Sequence, residues 1–210
     1  MFPSRRITTM SGKGIENEVS IKLEDEQKWI SFGASGSSPA TLQDSDVWTV
    51  SFWIGNYDGD TNDTFMGKIG STELIKLSSS GVSDNITFVD SGGNEASFED
   101  NDFLDDGSWH HLVFSSDGTN ITYFRNGVRV SQITPTANTD FKIQQVGLVY
   151  MVNDSFFQHT QCDLSELAIW ERGLTDSECI GLYNGGDPVN IAEDYPLLLK
   201  AWNGRWSKPC

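Results

Sequence analysis

The sequence predicts an all-β protein, a sandwich or barrel of short antiparallel strands. Three observations carry that prediction. Apolar and polar residues alternate with period 2 in segment after segment. Clusters of Gly, Asn, Ser and Asp punctuate those segments with turn chemistry. The strand–helix–strand rhythm of a parallel sheet is missing.

Taken in order, residues 19–23 alternate, with Val19, Ile21 and Leu23 apolar and Ser20 and Lys22 polar. Residues 29–32 follow as a second short strand, and residues 33–46 are turn-like, rich in Ser and Gly around Pro39. Residues 47–54 give the strongest strand, apolar at most positions with Thr49 and Ser51 between, as expected of a central strand. Residues 58–63 are a polar loop. Residues 65–69 and 73–77 predict a hairpin around Gly70-Ser71, and residues 85–89 a further strand. Residues 91–107 are an acidic, glycine-bearing stretch. Residues 109–114 and 121–125 are strands flanking a turn at 116–119. Asn126-Gly127 is the best single turn signal, since both residues tolerate the positive φ of a type I′ turn. Residues 128–133 return antiparallel, and residues 141–149 and 164–170 add two more strands.

One helix is predicted, from Thr175 to Tyr183. Thr175 and Glu178 have the spacing of a capping box, Leu174 can fold back on Cys179, and Asn184-Gly185-Gly186 supplies the stop. Cys179, Leu182 and Tyr183 share a face, and two turns of helix need the body of the protein for support.

The chain has 210 residues, 37% hydrophobic and 11% aromatic. That is enough to bury a core without disulfides or a metal. Its apolar runs are far too short to span a bilayer. The net charge of -16 argues against nucleic acid or an anionic membrane as partner. The charge is uneven: residues 30–124 carry 15 carboxylates and two lysines, whereas residues 1–13 hold three basic residues and no acid. A basic arm before an acidic body suits docking on a neighbour in an assembly. Residues 7–20 lack the apolar core of a signal peptide. The odd cysteine count (Cys162, Cys179, Cys210) and the absence of a CxxC pair favour free thiols. Four glycosylation sequons, at Asn62, Asn85, Asn120 and Asn153, carry little weight without a secretion signal.

Two blocks resemble a known family. The first runs Asp106-Gly107-Ser108-Trp109-His110-His111-Leu112-Val113-Phe114 into the strands around Asn126-Gly127. The second runs from Cys162 through Glu166, Trp170 and Glu171-Arg172-Gly173-Leu174 to Ile180. With the strand around Val50–Asn56, these residues are similar to laminin-G-like, concanavalin A-like domains over residues 15–185. The resemblance implies a jelly-roll β-sandwich of two antiparallel sheets with one short helix in the C-terminal half. It divides the chain into an N-terminal arm (1–14), the domain (15–186) and a C-terminal extension (187–210), a closing strand or an interface arm. A stand-alone domain of this kind also resembles lectin-like pieces on the outside of bacteriophage virions.

Candidate chemistry is sparse. Neighbouring strand residues point to opposite faces, so His110 and His111 cannot converge on one metal. His159 stands alone. The Glu-x-Asp-x-x-Glu strand of glucanases with this fold is missing: Ala168 stands where Asp would follow Glu166. Asp58-Gly59-Asp60-Thr61-Asn62-Asp63 opens like an EF-hand loop, with oxygen ligands at alternating positions, then departs from it. The resemblance implies a calcium at a sandwich edge. Asp58, Asp60 and Asp63 are therefore the first calcium candidates, and the acidic stretch from Glu99 to Asp106 the second. Trp29, Trp48, Trp53, Trp109 and Trp170 read as core. Tyr57, Phe156, Phe157, Trp202 and Trp206 are the candidates for a carbohydrate platform or protein interface, with interface favoured for the tail.

These features predict a non-enzymatic virion surface or decoration protein with a lectin-like domain. It would be displayed on a capsid or tail, bound to protein partners or to itself, and touching host glycans through its loops. The alternatives are an autonomous calcium-dependent carbohydrate-binding module and a glycan hydrolase of the same fold.

Overall fold

Trp48, Val50, Phe52 and Ile54 recur at every second position of β3 (Val47–Gly55), so one face of that strand is apolar throughout and fully buried. It is the middle of a β-sandwich. The structure is a computed structural model, which describes residues 21–23, 30–31, 47–57, 63–67, 74–79, 83–90, 92–101, 104, 106–135, 145–146, 161–186 and 198–201.

Before β3 come β1 (Ile21–Leu23) and β2 (Ile30–Ser31). After it follow β4 (Asp63–Gly67), β5 (Leu74–Ser79), β6 (Ser83–Val89) and β7 (Glu95–Asn101). The second half supplies β8 (His110–Asp117), β9 (Ile121–Arg125), β10 (Val128–Ile133), β11 (Gln145–Val146) and β12 (Cys162–Trp170). Helix α1 (Asp176–Tyr183) and β13 (Leu198–Ala201) complete the described elements. One antiparallel sheet has the order β1-β12-β3-β8-β9-β10, with β13 also paired to β12; the other has the order β2-β11-β4-β5-β6-β7.

Aromatic rings fill the space between the sheets. Phe52 meets Phe65 across it with ring centroids 4.7 Å apart, and Phe114 meets Phe88 at 5.3 Å and Phe98 at 5.9 Å. Each such side chain contributes roughly 1.5–3 kcal/mol by leaving water.

The acidic, glycine-bearing stretch 91–107 contains β7. Its inward positions are Ala96, Phe98 and Asp100, so the pattern that marks a strand is broken by an inward acid. Asp100 is tolerated there because Arg125 pairs with it at 3.0 Å and Tyr123 donates its hydroxyl at 3.1 Å.

The outer face of the first sheet is covered as well. Val113, Phe124, Ala168 and Trp170 form a second cluster with Leu174, Cys179 and Leu182 of the α1 segment. The approach to the helix is pinned by hydroxyls of the sheet. Thr49 accepts the N–H of Leu174 at 2.9 Å and donates to the carbonyl of Arg172, while Ser115 donates to the carbonyl of Leu174. Gly173 is required here, since a Cβ would lie 2.7 Å from the Ser116 carbonyl. The capping box forms as expected, with Thr175 as N-cap and Asn184 closing the helix at φ 47°. Cys162 belongs to the inter-sheet core and Cys179 to the cluster under the helix; the two are buried apart and form no disulfide with each other. β12 carries a bulge at Glu166, φ 50°, between the segments that pair with β1 and with β13.

Candidate functional site

Residues 58–62 connect β3 of one sheet to β4 of the other, and Tyr57 and Asp63, which flank them, both meet Leu77. Tyr57 donates its hydroxyl to the carbonyl of Leu77 at 3.4 Å, and Asp63 is the register partner of the same Leu77. Asn56, just before, donates its amide to Asp163 at 2.6 Å, tying the stem to β12. Behind it the indole of Trp109 lies flat against Gly55, where a Cβ would sit 2.7 Å from the ring.

Tyr57 is therefore not a surface platform, which corrects the sequence-based expectation. Its ring is 4% exposed and belongs to the inter-sheet core. The reason is local: Asn56 takes a left-handed φ of 47°, which shifts the alternation by one residue and turns Tyr57 inward. Asp63 opens β4, while Asp58 and Asp60 lie outside the described residues, as do Phe156, Phe157, Trp202 and Trp206. Trp48, Trp53 and Trp170 are fully buried, as read from sequence, and Trp109 is half-buried.

Of the second calcium candidate, Asp102 and Asp105 lie outside the described residues. Glu99 faces outward on β7 while Asp100 faces inward to Arg125 and Tyr123. Asp106 accepts the N–H of Ser108 at 2.7 Å and contacts His110 Nε2 at 3.1 Å from both carboxylate oxygens. Among the described residues no group of three or more His, Cys, Asp or Glu is arranged to hold a metal.

Two pairs escaped the sequence reading because their members are far apart in the chain. Ser51 Oγ lies 2.8 Å from Nε2 of His111, the contact of a nucleophile with its base. Both residues are buried, Nδ1 of His111 has no hydrogen-bond partner, and burial lowers its pKa to about 3. An imidazole so held is a poor proton acceptor near neutral pH, and among the described residues no acid orients it as a relay would. The other pair is Asp84 and Asp100, directly opposite each other on β6 and β7. Two facing carboxylates are the equipment of a retaining glycosidase. Here both are buried: Asp84 accepts the N–H of Leu104 at 2.7 Å, and Asp100 is taken by Arg125 and Tyr123. Burial and the neighbouring Asp100 push the Tyr123 hydroxyl pKa far up, so it stays a donor. The arrangement clamps the sheets together.

The family profile of the concanavalin A-like lectin/glucanases superfamily (Laminin_G_3) matches residues 20–179. The chain belongs to this family. Among solved structures, its laminin-G-like fold is similar to a native heptameric SAP-like pentraxin from Limulus polyphemus, with TM-score 0.54 and 16% identity over 84% of this chain and 92% of the pentraxin. It is also similar to the binding domain of botulinum neurotoxin serotype G, with TM-score 0.54 and 15% identity, covering 76% of this chain and 41% of the toxin domain. A third similarity is to the serotype D/C binding domain, with TM-score 0.50 and 12% identity over 67% of this chain and 37% of that one. At these identities the likeness establishes the fold alone. No curated protein matches in sequence. Among the described residues of this laminin-G-like chain, no helix is long and apolar enough to cross a membrane.

Proposed function

We propose that this laminin-G-like chain is a non-catalytic recognition domain that engages glycans through the end of the sandwich carrying residues 58–63. Calcium there would be held by Asp58, Asp60 and Asp63. The observation that carries this reading is the convergence of both loop stems on Leu77, which brings the residues flanking the loop together on a rigid base. Carboxylates are the hard oxygen donors that calcium takes, and flanking residues held together lower the entropic cost of gathering those between them. Bound calcium would supply a fixed charge able to coordinate sugar hydroxyls. The chain's own part is to hold the loop ends: Tyr57 through Leu77, and Asn56 through Asp163.

The non-catalytic part of the reading is supported by how the buried acids are used. Asp84, Asp100 and Asp163 are each committed to a hydrogen bond or ion pair within the fold. For its setting we favour the outside of a virion. The support is the charge partition of the sequence, a basic start before an acidic body, which suits packing of like subunits.

The test is a glycan array probed with the full chain in calcium and in chelator, alongside the Asp58→Ala and Asp60→Ala variants. Calcium-dependent binding that both variants lose is the expected result. Glycan cleavage, or binding indifferent to calcium and to both variants, would overturn the reading. Imaging of intact particles from the native source tests the virion setting separately.

A further inference from the structure

Asn126-Gly127 and Asn184-Gly185 are the same dipeptide in two settings. In this dipeptide the side-chain amide carbon is open to attack by the next backbone nitrogen, because glycine has no Cβ to shield that nitrogen. The new N–C bond closes a five-membered succinimide, and ammonia leaves. Water then opens the ring at either carbonyl, giving aspartate or its β-linked isomer, isoaspartate. Water is the only co-reactant. Both asparagines take a left-handed φ, 50° at Asn126 and 47° at Asn184. In that conformation the next nitrogen lies across the Cα–C bond from Cβ, so the ring closes only after that bond turns.

The fold resists that rotation at Asn126. Its Oδ1 accepts the N–H of His111 at 2.8 Å, its own N–H donates to the His111 carbonyl at 2.8 Å, and its Nδ2 lies 3.2 Å from His110 Nδ1. Val128 is paired with Arg125 across the hairpin, so the chain is held on both sides of the turn. Tyr183, at the end of α1, closes over it: a Cβ on Gly127 would lie 2.9 Å from the tyrosine ring. Asn184 meets none of this. It is exposed, and its side chain takes no hydrogen-bond partner among the described residues. Its capping bond runs from its own N–H to the carbonyl of Gly181, on the other side of Cα from the bond that must turn. Two glycines follow, at φ 67° and 100°, and a Cβ on Gly185 would meet nothing within 4 Å. A third such dipeptide, Asn203-Gly204, lies outside the described residues.

We propose that Asn184 is a site of spontaneous deamidation in the folded protein, whereas the fold protects Asn126 from the same reaction. The product acts on the end of α1. A neutral cap becomes a carboxylate at the negative end of the helix, whose last turn holds no basic residue. The β-linked product also adds a carbon to the backbone beside Tyr183, the residue that rests on Gly127, Trp53 and His111. The inference rests on the described geometry and is independent of the glycan reading.

Ageing of the full-length protein at mildly alkaline pH, followed by peptide mapping in the mass spectrometer, tests it. Fragmentation separates asparagine, aspartate and isoaspartate at each position. The same chain in denaturant supplies the intrinsic rate of each dipeptide. Relative to its own rate in denaturant, Asn126 should be slowed by folding at least about tenfold more than Asn184, because its hydrogen bonds must break first. Asn184 should convert in the folded protein to both aspartate and isoaspartate. A smaller difference between the two positions would overturn the proposal. So would an Asn184 that stays intact in the folded protein over the time in which the denatured chain converts.

Discussion

At Asn56 a left-handed φ of 47° shifts the alternation of the chain by one residue, and Tyr57 lands in the core. Period 2 carried on from Phe52 and Ile54 would put Asn56 inward and Tyr57 outward, and the torsion at Asn56 reverses this. Partnerships across the sheet are equally hidden: Ser51 and His111 meet 60 positions apart. His111 leads to a pH prediction. Burial lowers its pKa from 6.5 to about 3 in the native protein. Between those values the unfolded chain binds a proton that the native chain does not, so stability falls as pH drops through that window and levels off below it. Denaturant titrations from neutral to acid pH should show a shallower loss for His111→Gln than for wild type. Parallel profiles would contradict this.

The short helix was legible almost to the residue, because capping is a local chemistry written in consecutive positions. Thr175 and Glu178 exchange their bonds as the spacing demands, and Asn184 ends the helix. β7 was not legible, because its inward Asp100 is stabilised by Arg125 and Tyr123 from the other sheet, which no local window contains. Thr175→Ala should cost about 1 kcal/mol by denaturant titration, the usual cost of losing a hydroxyl cap. Glu178 adds a pH signature. The Arg172 guanidinium lowers its pKa from 4.5 to about 2, reinforced by the N–H of Thr175. Its contribution is complete above 4.5 and is lost as pH falls toward 2. Glu178→Gln should remove that part of the acid sensitivity, and an unchanged profile would show that the pair is screened by solvent.

At the scale of the whole molecule, the strand count, the turn signals and the two family-like blocks were enough to specify a sandwich of two antiparallel sheets, since burial patterns repeat along the chain. The sheet order and the polar clamp between the sheets were beyond reach. They depend on which strands meet in space. Asp100 is where the sheets are joined by charge as well as by rings. Asp100→Asn should lower stability by roughly 3 kcal/mol, because Arg125 would remain without its counter-charge in a largely dry setting. A loss under about 0.5 kcal/mol would place the clamp at the level of an exposed ion pair.

We propose that the residues flanking 58–62, held at Tyr57, Leu77 and Asp63, support calcium binding for ligand recognition. Isothermal titration of calcium into the full chain and into Asp60→Asn tests it most directly. One site is expected in the wild type, with at least a tenfold loss of affinity in the variant, in which one of three carboxylate ligands is neutralised. No heat of binding in the wild type, or equal affinity in both proteins, would contradict it.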